Sequence, residues 1–271
     1  MNVNGRIAVV TGAGGGIGQA VAAKLAEQGV RALGLVDRSE SVVNVAKAIN
    51  DRSSAPIAEP LIGDAADAGF RRHCFDRLQA RHGTPSICVP AAGITRDRLA
   101  VKLERETGKP DVYPIELFRE VVEINLIAPV YWGLEMIARI AEDRARAGKT
   151  RWEPSEGPQG TIVFIGSVSS QGIPGQVAYS SAKAGLEGAA ATLGKEASHF
   201  GVRAAVIHPG FTDTPMVRAL GDEFIQKNIL PSTQLRRLIR PDEIADAIYF
   251  LICNSAVSGV LWADAGWHPN A

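Results

Sequence analysis

Short apolar runs alternate along the chain with longer stretches in which apolar positions recur every three or four residues. The short runs are bounded by Gly, Pro or polar residues, as buried strands are, and the longer stretches have the spacing of amphipathic helices. The pattern predicts strands at residues 7–10, 32–36, 87–89, 162–165, 204–207 and 260–262. It predicts helices at residues 17–28, 70–81, 117–147, 178–200 and 242–253.

Strands that are regularly separated by helices predict an α/β fold, with a parallel sheet covered by helices on both faces. Two polar segments, residues 104–115 and 147–160, interrupt the alternation and contain Gly, Pro and charged residues. The alternation resumes after each of them, so we interpret them as surface insertions and not as linkers. We therefore expect one domain over residues 1–271.

The composition excludes several classes of function. The 271 residues carry no net charge, so no overall field favours nucleic acid or an anionic membrane. We see neither a leader segment nor an apolar run of about 18 residues that would span a bilayer. Cys74, Cys88 and Cys253 are too far apart for a disulfide framework or a metal cluster, which favours the reducing cytoplasm. The five histidines show no ligand spacing, so no metal site is expected.

A glycine-rich turn, Thr11 to Gly18, follows the first predicted strand and opens the first helix. Glycine lets the backbone approach a pyrophosphate closely, and the amides at the helix N-terminus point towards its charge. The motif can be read with Gly12, Gly16 and Gly18 or with a register that includes Gly14, so spacing alone leaves the subfamily open. Its position after a strand nevertheless predicts a dinucleotide site.

Asp37 ends the second predicted strand, 19 residues beyond Gly18. A carboxylate there can accept hydrogen bonds from the ribose hydroxyls of NAD, and it would repel the 2′-phosphate of NADP. Gly15 adds no positive charge beside the turn, whereas Arg38 could pair with a phosphate. A turn acid or helix cap would also explain Asp37. We favour NAD over NADP.

Tyr179 and Lys183 are four residues apart in a predicted helix and therefore share one face of it. A free phenol has a pKa near 10, and a neighbouring ammonium favours the phenolate. The pair could thus serve as an acid/base catalyst, although a lysine lying along an amphipathic helix would give the same spacing.

With these motifs in this order, the chain resembles the short-chain dehydrogenase/reductase family over nearly its whole length. The further matching residues are Asp64 with Ala65, the segment Pro90-Ala91-Ala92-Gly93, Asn125, Ser167, the turn Pro209-Gly210, and Thr212 and Thr214. The resemblance implies a doubly wound, mostly parallel Rossmann fold. It also implies hydride transfer between a nicotinamide and a secondary alcohol or ketone.

The resemblance implies a role for each catalytic residue. Tyr179 would exchange a proton with the substrate oxygen, and Ser167 would hydrogen-bond that oxygen. Lys183 would lower the pKa of Tyr179 and bind the nicotinamide ribose, and Asn125 would hold a water that links Lys183 to solvent. The implied cofactor contacts are Gly12, Gly16, Ile17, Gly18, Asp37, Arg38, Asp64, Ala65, Ala91, Gly93, Tyr179, Lys183, Pro209, Gly210, Thr212 and Thr214.

The chain departs from the family pattern at three places. Pro90-Ala91 replaces two asparagines, and Ala205 stands where the family often has an asparagine. Ser167 precedes Tyr179 by 12 residues, one fewer than is commonest, so Ser169 and Ser170 are alternatives for the serine role.

Two groups within the family resemble the chain most. Residues 93–97, 211–220 and 240–245 look like those of 3-oxoacyl carrier-protein reductases, but Asp37 does not fit their use of NADPH, and Phe200 stands where they carry a basic docking residue. The two insertions and NAD suit the type 2 3-hydroxyacyl-CoA dehydrogenases. We therefore expect an NAD-linked dehydrogenase of a secondary alcohol, with β-hydroxyacyl thioesters such as acyl-CoA among its candidate substrates.

Two alternatives stay open: an NADPH-dependent 3-oxoacyl carrier-protein reductase, and a catalytically silent nucleotide-binding subunit, which the altered Pro90-Ala91 pair would suit.

Residues 211–235 should form the substrate loop, lined by Met216, Val217, Leu220, Phe224 and Ile225. Family members commonly form tetramers through two long helices, here 117–147 and 178–200. Small outward-facing residues of the second helix would allow close approach: Ala184, Gly185, Gly188, Ala189 and Ala191.

Overall fold

Every apolar run predicted as a strand lies in one parallel sheet. The computed structural model describes residues 1–267. The sheet has seven strands in the order β3-β2-β1-β4-β7-β8-β9, and all the pairings between them are parallel. The strands are β1 (Ile7–Thr11), β2 (Ala32–Asp37), β3 (Ala58–Ile62), β4 (Ile87–Pro90), β5 (Val101–Leu103), β6 (Pro110–Val112), β7 (Gly160–Ile165), β8 (Val202–Pro209) and β9 (Gly259–Ala263).

Helices cover both faces of the sheet. They are α1 (Gly16–Glu27), α2 (Ser41–Asn50), α3 (Ala68–His82), α4 (Ile115–Val122), α5 (Ala128–Arg146), α6 (Val177–Glu196), α7 (Pro215–Arg218), α8 (Asp222–Phe224) and α9 (Pro241–Cys253). Apolar residues of α1, α2 and α9 form one core with the sheet. Those of α3, α5 and α6 form a second core on the other face. This is the doubly wound architecture that the sequence predicts.

Side-chain alternation divides β1 between the two cores. Ala8 and Val10 pack on the α1 side and Val9 on the α3 side, and all three are completely buried. The second core centres on Trp132 and Phe75, whose ring centres are 5.6 Å apart. Burying large side chains on both faces stabilises the sheet by roughly 1.5–3 kcal/mol for each one. The sheet is therefore a rigid platform for the loops at its edges.

The long predicted helix is a run of three segments. A π-helical turn, Glu123–Ile127, joins α4 to α5. The whole run Ile115–Arg146 could cross a membrane by length and composition alone, with a mean hydropathy of 1.4 in its most apolar window. A helix buried in the core of a globular protein can have the same length and apolar composition. Trp132 and Met136 are completely buried against the sheet, which accounts for the apolar character of this run.

Two elements of the main sheet and its helical layers were not predicted. Strand β3 lies at the edge of the sheet and contains Glu59 and Pro60, which break its apolar run. Helix α2 buries Val42, Val45, Ala46 and Ile49, and this i, i+3, i+4, i+7 spacing could have revealed it.

The two polar segments lie outside the seven-stranded sheet. Strands β5 and β6 form an antiparallel hairpin that overlaps residues 104–115. Within residues 147–160, a short 3-10 turn, Pro154–Glu156, is held to α5 by Glu156, which accepts two hydrogen bonds of 3.0 Å from Arg144. That these segments are insertions stays a prediction.

Candidate active site

The glycine turn connects β1 to α1 at the carboxyl edge of the sheet. Gly12 and Gly16 have φ values of +65° and +54°, which side chains disfavour. A Cβ at Gly12 would lie 2.8 Å from the amide nitrogen of Ala92, so β1 and the end of β4 approach closely here. A Cβ at Gly15 would meet nothing within 4 Å. The turn is thus tight on its inner side and open on its outer side.

Asp37 lies beside this turn at the end of β2. Its Oδ2 accepts a 2.9 Å hydrogen bond from the amide of Gly14, and its Oδ1 accepts one of 2.9 Å from the amide of Ser39. The Ser41 hydroxyl donates to the Gly14 carbonyl at 2.9 Å. These contacts fix the carboxylate against the turn. Each carboxylate oxygen can accept further hydrogen bonds, so Asp37 can still bind a pair of hydroxyls.

The turn opens into a cavity of 290 Å³. Of the sixteen predicted cofactor contacts, this cavity is lined by Gly12, Gly16, Ile17, Gly18, Asp37, Arg38, Asp64, Ala65, Ala91, Gly93, Tyr179, Lys183 and Thr214. Pro209, Gly210 and Thr212 line an adjoining cavity of 130 Å³, which shares Ile17 and Tyr179 with the first. The cavity is also lined by residues outside the predicted cofactor set: Gly15, Gly63, Ala92, Ile94, Ile124, Ile165, Pro215 and Met216, of which Met216 was predicted for the substrate loop.

These residues fit a nicotinamide dinucleotide. The cavity lies at the carboxyl ends of β1 and β4, where the strand order reverses, which is where doubly wound sheets bind nucleotides. The first amides of α1 have no acceptor within their own helix, and the open outer side at Gly15 leaves room for a pyrophosphate. Asp37 lines the same cavity, and its carboxylate would be available to the adenosine ribose of such a cofactor.

Two flanking segments hold the shape of this cavity. The Thr11 hydroxyl accepts a 3.1 Å hydrogen bond from the amide of Ala92, which ties the altered segment Pro90–Gly93 to the glycine turn through backbone groups. The amide of Gly210 donates to the Ala263 carbonyl at 3.0 Å. Thr214 caps α7, and its methyl group would lie 3.1 Å from a Cβ at Gly16.

Tyr179 and Lys183 lie one turn apart on α6, as predicted, and both line the cavity. Lys183 Nζ donates a 2.8 Å hydrogen bond to the carbonyl of Ile165, at the end of β7. Burial lowers the pKa of Lys183 to about 8. The lysine therefore connects the helix to the end of the strand.

The pKa of Tyr179 is raised, which differs from the expectation that Lys183 lowers it. Burial raises it to about 12, a hydrogen bond with Ser167 acts in the opposite direction, and the negative charge of Asp97 raises it further. Lys183 Nζ lies 5.5 Å from the centre of the Tyr179 ring and points to Ile165, so its effect on the phenol is weak. At neutral pH the phenol keeps its proton.

Ser167 is the serine that the structure brings to Tyr179. It follows β7 and caps the 3-10 turn Val168–Gln171, where its hydroxyl accepts a 3.1 Å hydrogen bond from the amide of Ser169. The Ser170 hydroxyl is turned the other way, 3.2 Å from Nδ1 of His208. Of the two alternatives, Ser170 is therefore turned towards His208 and Ser169 lines the second cavity, while Ser167 is the serine whose hydroxyl acts on the pKa of the phenol.

Asn125 lies in the π-helical turn and is completely buried. Its Nδ2 donates to the carbonyls of Ile94 and Val121, each at 2.9 Å, and its Oδ1 accepts a 3.2 Å bond from the amide of Ile94. A Cβ at Gly93 would lie 2.8 Å from Oδ1 and 3.8 Å from Lys183 Nζ. Asn125 thus holds the end of the β4 segment close to Lys183. The water that it would bind stays a prediction.

The second cavity adjoins Tyr179 and Ser167 and suits a substrate. Met216, Val217 and Leu220 line it, as expected for the substrate loop, together with Phe211. Phe224 and Ile225 do not. Phe224 is 48% exposed, whereas Ile225 is buried with Ile229 and Leu238 in a small core of the loop itself. Helical periodicity could not tell these two surroundings apart.

Asp97 and Gln176 also line the second cavity and were not predicted as site residues. Gln176 Nε2 donates a 2.8 Å hydrogen bond to Oδ2 of Asp97. This contact ties the start of the 97–113 segment to the residues just before α6. The two residues lie in different loops, so only the folded chain reveals the pair.

Comparisons with known proteins agree with this geometry. The family model described as short chain dehydrogenase matches residues 6–224. The 3-oxoacyl-[acyl-carrier-protein] reductase FabG of Escherichia coli (strain K12) is 33% identical over 257 residues, which cover 94% of this chain and 93% of the relative.

Two solved structures extend the comparison. One, described as a putative gluconate dehydrogenase from Agrobacterium tumefaciens, superposes with a TM-score of 0.82 at 24% identity, and the match covers 98% of this chain and 96% of the other. Another, described as ribose-5-phosphate isomerase from Brucella melitensis 16M, has a TM-score of 0.80 at 28% identity, with 98% and 93% covered. The two structures are described as different enzymes although they share this fold. The fold alone therefore does not identify the activity, which must be argued from the site.

Proposed function

The chain belongs to the short-chain dehydrogenase family, whose members are NAD(P)-dependent oxidoreductases of CH–OH groups. Within this family we propose that it works with NAD(H). Its reaction would be the interconversion of a secondary alcohol and a ketone. Asp37 carries the cofactor preference, because its carboxylate stands at the adenosine end of the cavity, where NADP would bring its 2′-phosphate. Arg38 lines the same cavity and works against the preference.

The nicotinamide, when bound, supplies the hydride donor or acceptor. The residues of the chain would handle the proton. Tyr179, protonated at neutral pH, would donate its proton to a ketone oxygen and take it back in alcohol oxidation. Ser167 would hold the same oxygen through its hydroxyl, which is placed by the turn after β7. Lys183 would contact the nicotinamide ribose, and Asn125 would maintain the cavity wall beside it.

A β-hydroxyacyl or 3-oxoacyl thioester is the substrate that we favour. The names of the curated relatives support a 3-oxoacyl group, and the apolar lining by Phe211, Met216, Val217 and Leu220 supports an acyl chain next to Tyr179. Acyl-CoA is favoured over an acyl carrier protein because Phe200 replaces the expected basic docking residue. An NADPH-dependent 3-oxoacyl carrier-protein reductase is the second candidate, and it is favoured by the similarity to 3-oxoacyl-[acyl-carrier-protein] reductases.

A catalytically silent subunit is the third hypothesis, raised by Pro90-Ala91. The contact of Ala92 with Thr11 argues against it, because the backbone amide of Ala92 holds that segment and no asparagine side chain is needed.

We also propose that the protein is cytoplasmic and forms a homotetramer, both by analogy with the family.

One assay separates the three hypotheses. Secondary alcohols and β-hydroxyacyl-CoA are offered with NAD and with NADP, and 3-oxoacyl thioesters of CoA and of acyl carrier protein with NADH and with NADPH, while the reduced nicotinamide is followed by absorbance. We expect the highest kcat/KM with NAD(H) and the CoA thioester. Preference for NADPH and the carrier protein would support the reductase, and cofactor binding without turnover would support the silent subunit.

A further inference from the structure

His208 lies near the end of β8, completely buried beneath the 3-10 turn that begins after Ser167. Its ring stacks on Trp262 of β9, with 4.3 Å between the ring centres and 17° between the planes. A Cβ at Gly166 would lie 2.5 Å from Nδ1, so the glycine before Ser167 lets the ring come this close. A buried polar ring needs hydrogen-bond partners, and these show what His208 can do.

Nδ1 of His208 contacts the backbone of Ser167. The Ser167 amide donates to Nδ1 at 3.0 Å, the Ser167 carbonyl oxygen lies 2.8 Å from the same nitrogen, and the Ser170 hydroxyl lies at 3.2 Å. An amide can donate only to a ring nitrogen that carries no proton. The amide contact therefore fits a neutral ring with its proton on Nε2, whereas the carbonyl contact fits a ring with a proton on Nδ1, so the surroundings of Nε2 decide between the two forms.

Nε2 faces Glu187 on α6. It lies 3.2 Å from Oε1 of that carboxylate, out of line for a direct hydrogen bond, and it has no hydrogen-bond partner among residues 1–267. The negative charge nevertheless favours a proton on Nε2 over one on Nδ1. Glu187 thus selects the tautomer that leaves Nδ1 free for Ser167.

We propose that His208 is a positioning residue for Ser167: the neutral ring holds the Ser167 backbone, and so aims the Ser167 hydroxyl at Tyr179. The inference rests on the proposed function, because the direction of this hydroxyl matters only if Ser167 binds the substrate oxygen. His208 does not touch the substrate cavity, so its effect passes through Ser167.

Protonation of His208 would disturb this arrangement. A protonated Nδ1 would donate to the Ser167 carbonyl and could no longer accept the hydrogen bond from the Ser167 amide. The amide would then lose its acceptor. The charged groups that face the ring are Glu187 and Lys183, both on α6. Burial lowers the pKa of His208, whereas the charge of Glu187 and the hydrogen bond that the protonated ring can donate to the Ser167 carbonyl raise it. Lys183 lowers it as well, and the net shift is below the ordinary value. The ring is therefore neutral at pH 7, and we expect activity to fall only in acid.

Two substitutions separate the nitrogens. His208→Asn places an amide oxygen near the position of Nδ1 and keeps an acceptor for Ser167, whereas His208→Gln reaches towards Glu187 and supplies none. We expect kcat/KM to stay within about threefold of wild type in His208→Asn and to fall about tenfold in His208→Gln, since an amide left without an acceptor costs about that much. In wild type we expect kcat/KM to fall at acid pH, and this fall is the acid limb of its pH profile. Both variants should lose the acid limb, and the exposed control His199→Asn should keep it.

Glu187→Gln removes a charge that raises the pKa of His208, so the acid limb should move to lower pH. Equal activities of His208→Asn and His208→Gln in folded protein, or an acid limb that persists in His208→Asn, would overturn the inference. The ¹⁵N resonances of the His208 ring provide a test that needs no turnover. We expect the proton on Nε2 at pH 7, and a proton on Nδ1 would refute the tautomer even if the proposed reaction fails for other reasons.

Discussion

Lys183 Nζ lies 5.5 Å from the centre of the Tyr179 ring and donates its hydrogen bond to Ile165. The two residues therefore share one wall of the cavity, and the hydrogen bond of the ammonium goes to the strand end and not to the phenol. With its pKa raised to about 12, Tyr179 is ready to donate a proton to a carbonyl oxygen. Alcohol oxidation needs the phenolate, so the two directions of the reaction should depend on pH differently.

Tyr179→Phe keeps the ring and removes the exchangeable proton. Loss of a positioned acid/base typically lowers a rate by about 10²–10⁴, so kcat should fall by that factor while the melting temperature and cofactor affinity change little. Tyr249→Phe, in α9 on the opposite face of the sheet, is the matched control and should keep its activity. A Tyr179→Phe enzyme with more than about a tenth of wild-type kcat, where chemistry limits the rate, would refute the assigned role.

The pH dependence follows from the raised pKa of Tyr179. Below this pKa the fraction of phenolate grows about tenfold per pH unit, so kcat/KM for alcohol oxidation should rise through neutral and alkaline pH. Ketone reduction uses the protonated form and should lack this rise. The measurement is kcat/KM in both directions from pH 6 to 10, and oxidation with no dependence on pH would contradict a phenol that starts protonated.

Asp37→Ala tests the cofactor preference. Hydrogen bonds to a charged group contribute about 1.5–3 kcal/mol each, so wild type should prefer NAD by at least about a hundredfold in kcat/KM. The substitution should narrow or reverse that preference, and it should lower the melting temperature, since the amides of Gly14 and Ser39 lose their acceptor. Adding Arg38→Ala should weaken NADP again and leave NAD nearly unchanged.

A wild type that works better with NADPH would refute the NAD assignment and promote the carrier-protein reductase. Equal loss of both cofactors in Asp37→Ala would instead indicate that the residue only shapes the glycine turn.

Two glycines of that turn should respond differently to a methyl group. Gly12→Ala puts a side chain at φ +65° and 2.8 Å from the Ala92 amide nitrogen, which should destabilise the fold by about 1–3 kcal/mol from the backbone conformation alone. Gly15→Ala has extended backbone and open space, so the free energy of unfolding should stay within about 0.5 kcal/mol of wild type. Denaturant unfolding of both variants measures the difference, and equal losses would show that the turn geometry is wrong.

Assembly can be tested on the outer face of α6. Ala184, Gly188 and Ala191 are exposed there, as the tetramer hypothesis requires, whereas Gly185 is partly buried and faces Leu126 of the same subunit. Gly188→Glu places a charge on this face and should convert a tetramer to smaller species in light scattering, while Asn44→Glu on the exposed side of α2 should not. A wild type that is monomeric at micromolar concentration would remove the hypothesis.

The sequence predicted the parts of the fold that periodicity controls, and missed those that depend on tertiary contacts. The buried strands and long helices were found because their apolar spacing is regular. Edge strand β3 was missed because Glu59 and Pro60 interrupt it, and Phe224 was misplaced because a helical pattern does not say which neighbour a residue meets. Most residues that line the candidate cofactor cavity could be named from motifs that lie at strand ends, and their binding role stays a prediction.

The raised pKa of Tyr179 and the role inferred for His208 could not be predicted in this way. The first depends on burial and on the direction in which Lys183 points, and the second on a ring that reaches Ser167 from another strand. Both are properties of three-dimensional packing that no local spacing encodes.

The π-helical turn at Asn125 carries one more residue than a regular helical turn, and this has a consequence for variation in length. Deleting residue 126 or residue 127, between Asn125 and α5, would restore an uninterrupted α-helix, which is a favourable local structure. The same deletion would rotate everything before it by about 100° relative to α5, because each residue of an α-helix turns by that angle. Asn125 would then lose its hydrogen bonds to Ile94. The helix would be more regular but the cavity wall less ordered, so the deletion would favour the stability of the helix at the expense of activity.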